Sequence, residues 1–251
     1  MKPNIFFVTV DSLRADRCFG ENRSAKTPNL DSLIKKGIYF SQAISAADQT
    51  GASLSSVFSG IFPIRTGKNQ ITFKSDTTTY FGILKNSNYY TCTLVPDIAF
   101  FKEFTTNFDD KMIYAFENVK TRQNLGNDLG KKIIAKLKSK EMKEPWIYYI
   151  HLMDIHTPFS VPSEFDKQEN GETKYDRLVS LVDVWLGRFL NEINMENTII
   201  VVSADHGEYI PATDESISEI PNIQRLLTKG QTSISFIEKM RMKTLLNLRF
   251  A

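Results

Sequence analysis

Three nearly continuous apolar runs constrain this chain more than any other feature, and each delivers an acid or a histidine at its carboxyl end. Asn4 to Val10 (NIFFVTV) ends at Asp11. Pro145 to Leu152 (PWIYYIHL) carries His151 and leads to Asp154 and His156. Asn197 to Ser203 (NTIIVVS) leads to the adjacent pair Asp205-His206. Strands covered on both faces read as unbroken apolar stretches, and such strands belong to parallel sheets with helices on each side. Open α/β sheets take their ligands outside the carboxyl ends of the strands, so the chemistry is expected there.

The segments between these runs have helical signals. Thr27-Pro28-Asn29-Leu30-Asp31 opens a helix, with Thr27 as a cap, Pro28 in the first turn and Gly37 as the stop. Ile38 to Ser45 reads as a short strand, Ser53 to Ser59 as a helix ended by Gly60, and Tyr89 to Val95 as a β-branched and aromatic strand. Leu125 to Lys140 is amphipathic with a lysine-rich, solvated face, and Tyr175 to Ile193 keeps helical periodicity through Leu178, Leu181, Val182, Trp185, Leu186 and Leu190. Strands alternating with helices predict an α/β fold, a mostly parallel central sheet sandwiched by helices. At 251 residues the chain suits one large domain, expected over residues 1–210 and followed by an extension over 211–251. In that extension a polar stretch, Pro211 to Glu219, leads into a basic amphipathic end, Ile234 to Phe250. This end is either a helix packed on the domain or a surface anchor.

Composition removes several classes. A formal charge of +2 gives no reason to expect a nucleic-acid partner. Two cysteines, Cys18 and Cys92, are too few for a disulfide framework or a cysteine metal site. No run approaches the ~18 apolar residues of a membrane span, and the apolar run at the start is too short for a signal-peptide core. The expectation from the chain as given is a cytoplasmic protein.

All three histidines lie in two short segments, H-L-M-D-I-H from His151 to His156 and D-H-G-E from Asp205 to Glu208. An adjacent acid and imidazole after a buried strand can both turn toward one cation, with Gly207 relieving the tight turn. Asp11 ends another strand in the same way. Together they suggest an oxygen-rich metal site with one nitrogen ligand.

The opening N-I-F-F-V-T-V-D-S-L-R-A-D, followed by T-P-N-L-D-S-L, resembles the start of the sulfatase and alkaline-phosphatase-like family. Further segments keep the family's order: Ser59-Gly60 with Pro63 and Gly67, then H-L-M-D-I-H-T-P-F, then Asp183 and Gly187, then S-A-D-H-G-E. The resemblance runs from Pro3 to about Glu208. The family's nucleophile lies ten residues before the glycine that matches Gly60, which places it at Thr50 in Q-T-G-A-S-L-S-S-V-F-S-G. Sulfatases are similar to C-x-P-S-R there, and the first residue is oxidised to formylglycine. Here Ala52 stands for the proline and Leu54 for the arginine, and no formylglycine is expected at a threonine. Thr50 resembles instead the nucleophile of the phosphoethanolamine and phosphoglycerol transferases.

That resemblance implies one divalent ion (Mn, Zn or Ca) on Asp11, Thr50, Asp205 and His206, with catalysis by Thr50 and His156. It implies His156 as a donor to the substrate oxyanion. His151 either touches substrate or orients another group, and Asp154 either orients His156 or forms a turn. Ser12 stands where sulfatases carry a second aspartate. The implied activity is hydrolysis or transfer of phosphate or sulfate esters, phosphate preferred, through a covalent Thr50 intermediate. Its substrate would be a small molecule or a glycan or lipid-headgroup ester. The alternatives are a helix-capping role for Thr50 and a non-catalytic relative that binds an anionic ligand or partner.

Overall fold

The computed structural model describes residues 2–21, 23–62, 79–116, 123–139 and 141–208. Among these residues five strands form one sheet: β1 (Asn4–Val10), β2 (Tyr90–Pro96), β3 (Asp110–Tyr114), β4 (Trp146–Leu152) and β5 (Thr198–Ala204), in spatial order β3-β2-β4-β1-β5. Every pairing is parallel. The helices are α1 (Ala15–Cys18), α2 (Pro28–Lys36), α3 (Thr50–Ser59), α4 (Tyr80–Asn86), α5 (Ala99–Phe104), α6 (Leu129–Lys138) and α7 (Lys174–Leu190). This is the α/β architecture read from the sequence. Among the described residues no helix is long and apolar enough to cross a membrane. The expected extension over 211–251, with its amphipathic end, and the motif residues Pro63 and Gly67 lie outside the described residues.

Register fixes what each face of the sheet carries. Phe7 pairs with Tyr149 and Val201, and Thr9 with His151 and Ser203. Because side chains alternate along a strand, the odd-numbered residues of β1, β4 and β5 share one face. Against it lie α3, α4 and α5, in a cluster that includes Leu54, Phe58, Phe81, Phe101, Phe104 and Tyr149. The even-numbered face meets α2 and α7, where Val8, Val10 and Leu152 line one apolar seam with Leu30, Val182 and Leu186.

Several expectations need correction. Ile38 to Ser45 forms no strand; Ile38, Phe40 and Ile44 are exposed there. A strand exists through its ladder, and this segment is instead pinned by Ser45 Oγ, whose one proton is shared between the carbonyls of Ala47 and Asp205. Among the described residues β5 is an edge strand, only half-buried, with Ile199 50% exposed, and not the fully covered strand its apolar run suggests. Thr27 precedes α2 but does not cap it, since its hydroxyl donates to the Cys18 carbonyl. Asp183 of α7 takes that role, accepting from the backbone N–H of Asn29 and of Leu30 at 3.1 and 2.8 Å. The helix read from Leu125 begins at Leu129, and its lysines are not all solvated, because Lys136 is buried between Asp110 and Glu141. The helix read over Ser53 to Ser59 begins earlier, at Thr50, and ends as expected at Gly60, whose φ of 71° is a left-handed cap that favours glycine. β3, α4 and α5 had no counterpart in the sequence reading. Cys18 and Cys92 are both free, and burial pushes their thiols up to about 11 and about 12.

Candidate active site

The carboxyl ends of β1, β4 and β5 lie side by side, so Asp11, His151 and Asp205 converge although they are far apart in sequence. All three are buried, with one ligand atom from each lying within 4.8 Å of the others. Thr50 enters from the first turn of α3. Its Oγ1 donates to Asp11 Oδ2 at 2.9 Å and lies 3.1 Å from His206 Nε2. The structure therefore brings together Asp11, Thr50, Asp205 and His206, and adds His151 behind Asp11. Thr50 is the first residue of the helix, not its cap, which is Gln49.

The turn after β1 is built to aim these groups. Ser12 holds a left-handed conformation with φ of 62°, which costs a non-glycine residue about 1–2 kcal/mol. The cost is offset by what the turn presents. The Ser12 N–H donates to Asp205 Oδ1 at 3.0 Å and its hydroxyl to Asp11 Oδ1 at 2.8 Å. Tyr175 fixes the turn from α7, donating to the Ser12 carbonyl and accepting from the Arg14 N–H, both at 2.8 Å. Asp205 is held further by its carbonyl, which accepts from Ser53 Oγ and Ser45 Oγ, and by the His206 N–H on Oδ1 at 2.8 Å. Gly207 is not left-handed, so turn relief is not its role; a Cβ there would come within 3.4 Å of Arg14 Cγ.

Hydrogen bonds assign the ring protons. His206 Nδ1 faces the Gly207 carbonyl at 2.8 Å. A carbonyl only accepts, so Nδ1 carries the proton, and in the neutral ring Nε2 keeps a lone pair. Thr50 has one hydroxyl proton, directed at Asp11. Its oxygen and His206 Nε2 therefore face each other with lone pairs. Asp205 Oδ2 is buried, accepts no hydrogen bond from the described residues and lies 3.6 Å from His206 Nε2. Acceptors outnumber protons in this cluster, an arrangement that a divalent cation on three oxygens and one imidazole fits.

The two carboxylates are driven in opposite directions. Burial alone would raise both. At Asp11 the hydrogen bond from His151, with the nearby His156 and Ser12, outweighs burial and holds the carboxyl well below its usual range. At Asp205 burial, reinforced by the charge on Asp11, prevails and raises it.

His156 is half-buried, its ring edge-on to Phe116 with centroids 5.8 Å apart. Its Nδ1–H goes to the Thr157 carbonyl at 2.6 Å, which in the neutral ring leaves the lone pair on Nε2. Asp154 Oδ1 accepts the Leu125 N–H at 2.7 Å, a contact that ties the segment after β4 back to the turn that precedes α6. Leu54 is fully buried in the aromatic cluster, where an arginine would lie uncompensated. Ser45, Ser53, Tyr149 and Tyr175 were missed by sequence reasoning. Ser53 lay inside the nucleophile motif, but nothing local signals the others.

A sequence model of the sulfatase family matches residues 3–232. The chain belongs to the sulfatase family. The match continues past Glu208, beyond the segments recognisable by eye. Among curated relatives, an uncharacterized protein of Haemophilus influenzae is 25% identical over 213 residues, 82% of this chain but 32% of its own length. The chain thus spans about a third of that relative. Among solved structures, this sulfatase-family chain is similar in fold to the phosphonate monoester hydrolase of Agrobacterium radiobacter. The TM-score is 0.68 at 14% identity, covering 82% of this chain and 63% of that one. It is similar also to the C-terminal periplasmic domain of EptC from Escherichia coli in complex with Zn. There the TM-score is 0.62 at 15% identity, covering 85% of this chain and 66% of that one.

Proposed function

We propose that this chain is a divalent-metal-dependent hydrolase or transferase of phosphate esters, with Thr50 as the nucleophile and phosphate preferred over sulfate. The observation that carries the reading is the position of Thr50 Oγ1 between Asp11 Oδ2 and His206 Nε2, beside the unbonded Asp205 Oδ2. Asp11, Thr50, Asp205 and His206 would hold the cation, and the Zn in the EptC domain of the same fold supports a metal there. When bound, the ion supplies Lewis-acid charge beside the group being transferred.

The remaining steps belong to the chain's own residues. Thr50 Oγ1, whose proton is directed at Asp11 Oδ2 before the attack, gives that proton up to solvent as it attacks phosphorus. The bond from phosphorus to the substrate alcohol breaks, and the alcohol oxygen leaves with the electron pair and takes up a proton. The N-terminal turn of α3, which starts at Thr50, would present its positive end to the developing negative charge. His156, when protonated, presents Nε2–H to the same oxygens, because Nδ1–H is already committed to Thr157. Water or an acceptor alcohol then attacks phosphorus and gives up a proton, the bond from phosphorus to Thr50 Oγ1 breaks, and the Thr50 oxygen takes a proton back.

Threonine decides between phosphate and sulfate. A formylglycine hydrate can expel sulfate by collapsing to the aldehyde, whereas a threonine sulfate has no such exit. A threonine phosphate is open to attack at phosphorus. The test compares an aryl phosphate, an aryl phosphodiester and an aryl sulfate under matched Mn, Zn and Ca. Phosphate or phosphodiester turnover should dominate, Thr50→Ala should lower kcat by at least roughly 10³-fold, and a phosphorylated Thr50 peptide should be trapped. A clear preference for sulfate, or full activity in the alanine variant, overturns the reading.

A further inference from the structure

Behind Asp11 lies a second line of polar groups that the reaction just described does not use. Tyr149 and His151 are both fully buried and stand two residues apart on one face of β4. His151 Nε2 is 3.2 Å from Asp11 Oδ2, and His151 Nδ1 is 3.3 Å from the Tyr149 hydroxyl. The imidazole has little freedom. It packs against Phe101 with ring centroids 4.6 Å apart, and its own carbonyl accepts from the Tyr114 hydroxyl at 2.9 Å. Tyr149 is equally fixed, edge-on to Phe7, Phe58, Phe81 and Phe104.

The proton positions follow from what each partner can do. A carboxylate oxygen accepts and does not donate, so the ring proton of a neutral His151 belongs on Nε2. That leaves Nδ1 as a lone pair, and the Tyr149 hydroxyl satisfies it as donor. We propose that Tyr149 is a positioning residue of this site. Its O–H locks His151 in the Nε2–H tautomer, and that N–H holds Asp11 Oδ2 in the orientation that meets Thr50. The claim about the tautomer stands on the hydrogen bonds alone; its consequence for metal binding rests on the reading of Asp11 as a ligand. The opposite tautomer, with Nδ1–H on Tyr149 and the Nε2 lone pair turned to a cation, would make His151 a ligand itself, and its distance from Asp205 permits that.

The two arrangements separate in one set of measurements on the full chain. In the metal-free protein labelled with ¹⁵N-histidine, the His151 ring, assigned through His151→Gln, should show Nε2–H. Tyr149→Phe keeps the ring packing and removes only the hydroxyl. It should mix the two tautomers and weaken Zn binding by roughly 10–100-fold, as loss of an orienting partner does. His151→Gln, whose amide can still donate to Asp11, should stay within that same roughly 10–100-fold range. The proposal is overturned by an Nδ1–H tautomer in the parent, by a Tyr149→Phe protein unchanged in both tautomer and Zn affinity, or by a His151→Gln protein that loses Zn as completely as Asp205→Ala. If Asp205→Ala binds Zn as tightly as the parent, the metal assignment itself fails, while the tautomer measurement still decides the role of Tyr149.

Discussion

The two faces of the sheet solve different problems with the same strands. The even-numbered face, Phe6, Val8 and Val10 of β1 with Tyr148, Ile150 and Leu152 of β4, is apolar to its end and buried under α2 and α7. The odd-numbered face begins as apolar, with Phe7 and Tyr149 in the aromatic cluster. It turns polar toward the carboxyl ends, where Thr9, Asp11, His151, Ser203 and Asp205 follow. A buried charge is tolerated only with partners, and these come from neighbours in space: Ser12, Thr50, His151 and Tyr149. One face supplies burial; the other grades burial into chemistry.

Truncation at the centre of each face tests this contrast most strongly. Phe58→Ala removes a ring that stacks on Phe104 at 4.1 Å and meets Phe81 and Tyr149 edge-on at 5.3 Å each. It should cost about 3–5 kcal/mol in urea unfolding, and it should also weaken Zn binding, because α3 carries Thr50. Leu186→Ala on the other face should cost about 2–4 kcal/mol and leave Zn affinity unchanged. Equal effects on metal binding would break the distinction between the faces.

Packing of the outer helices gives a smaller effect. A Cβ at Gly130 of α6 would lie 2.5 Å from the Trp185 indole of α7. That indole is itself covered by the Arg188 guanidinium 4.4 Å above the ring. Gly130→Ala gains about 1 kcal/mol of helix propensity but overpacks by about 1–3 kcal/mol. The expected outcome is a net loss of stability with unchanged metal binding; a stabilised protein would show that the indole moves freely.

The smallest expected effect is in the pH dependence of stability, with opposite sign at two carboxylates. Asp109, beside the aromatic face, is raised by burial but lowered more by Lys85 and by the Thr91 N–H and hydroxyl, so it lies below 3.8. Its contribution is present above that value and is lost as pH falls through the folded pKa. The deficit of Asp109→Asn should therefore shrink in acid. Asp183, on α7, is raised above 3.8 chiefly by burial, against its bonds to Leu30 and Asn29. The folded state then holds its proton longer than the unfolded one, and a penalty develops as pH rises through 3.8 toward the folded pKa. Asp183→Asn should accordingly recover relative to the parent over that rise. Parallel slopes for the two variants in denaturant titrations would refute the assignment.

What the sequence determined by itself is what local pattern can carry. β1, β4 and β5 were legible because both faces of such strands are apolar, and α7 because its apolar residues recur at helical spacing. Asp11 and the Asp205-His206 pair were legible because they stand immediately after those runs. The aromatic face was less so: β3 alternates half-buried and exposed residues up to the buried Tyr114, and α4 and α5 are short aromatic helices whose partners lie elsewhere in the chain. Only the tertiary structure decided that β5 lies at the edge of the described sheet, that Ile38 to Ser45 stays out of it, and that Asp183 caps α2 where Thr27 does not. It also decided which histidine faces which carboxylate. These are questions of pairing between segments more than a hundred residues apart. A hydrogen bond such as that from Ser12 to Asp205 leaves no mark on the sequence near either residue.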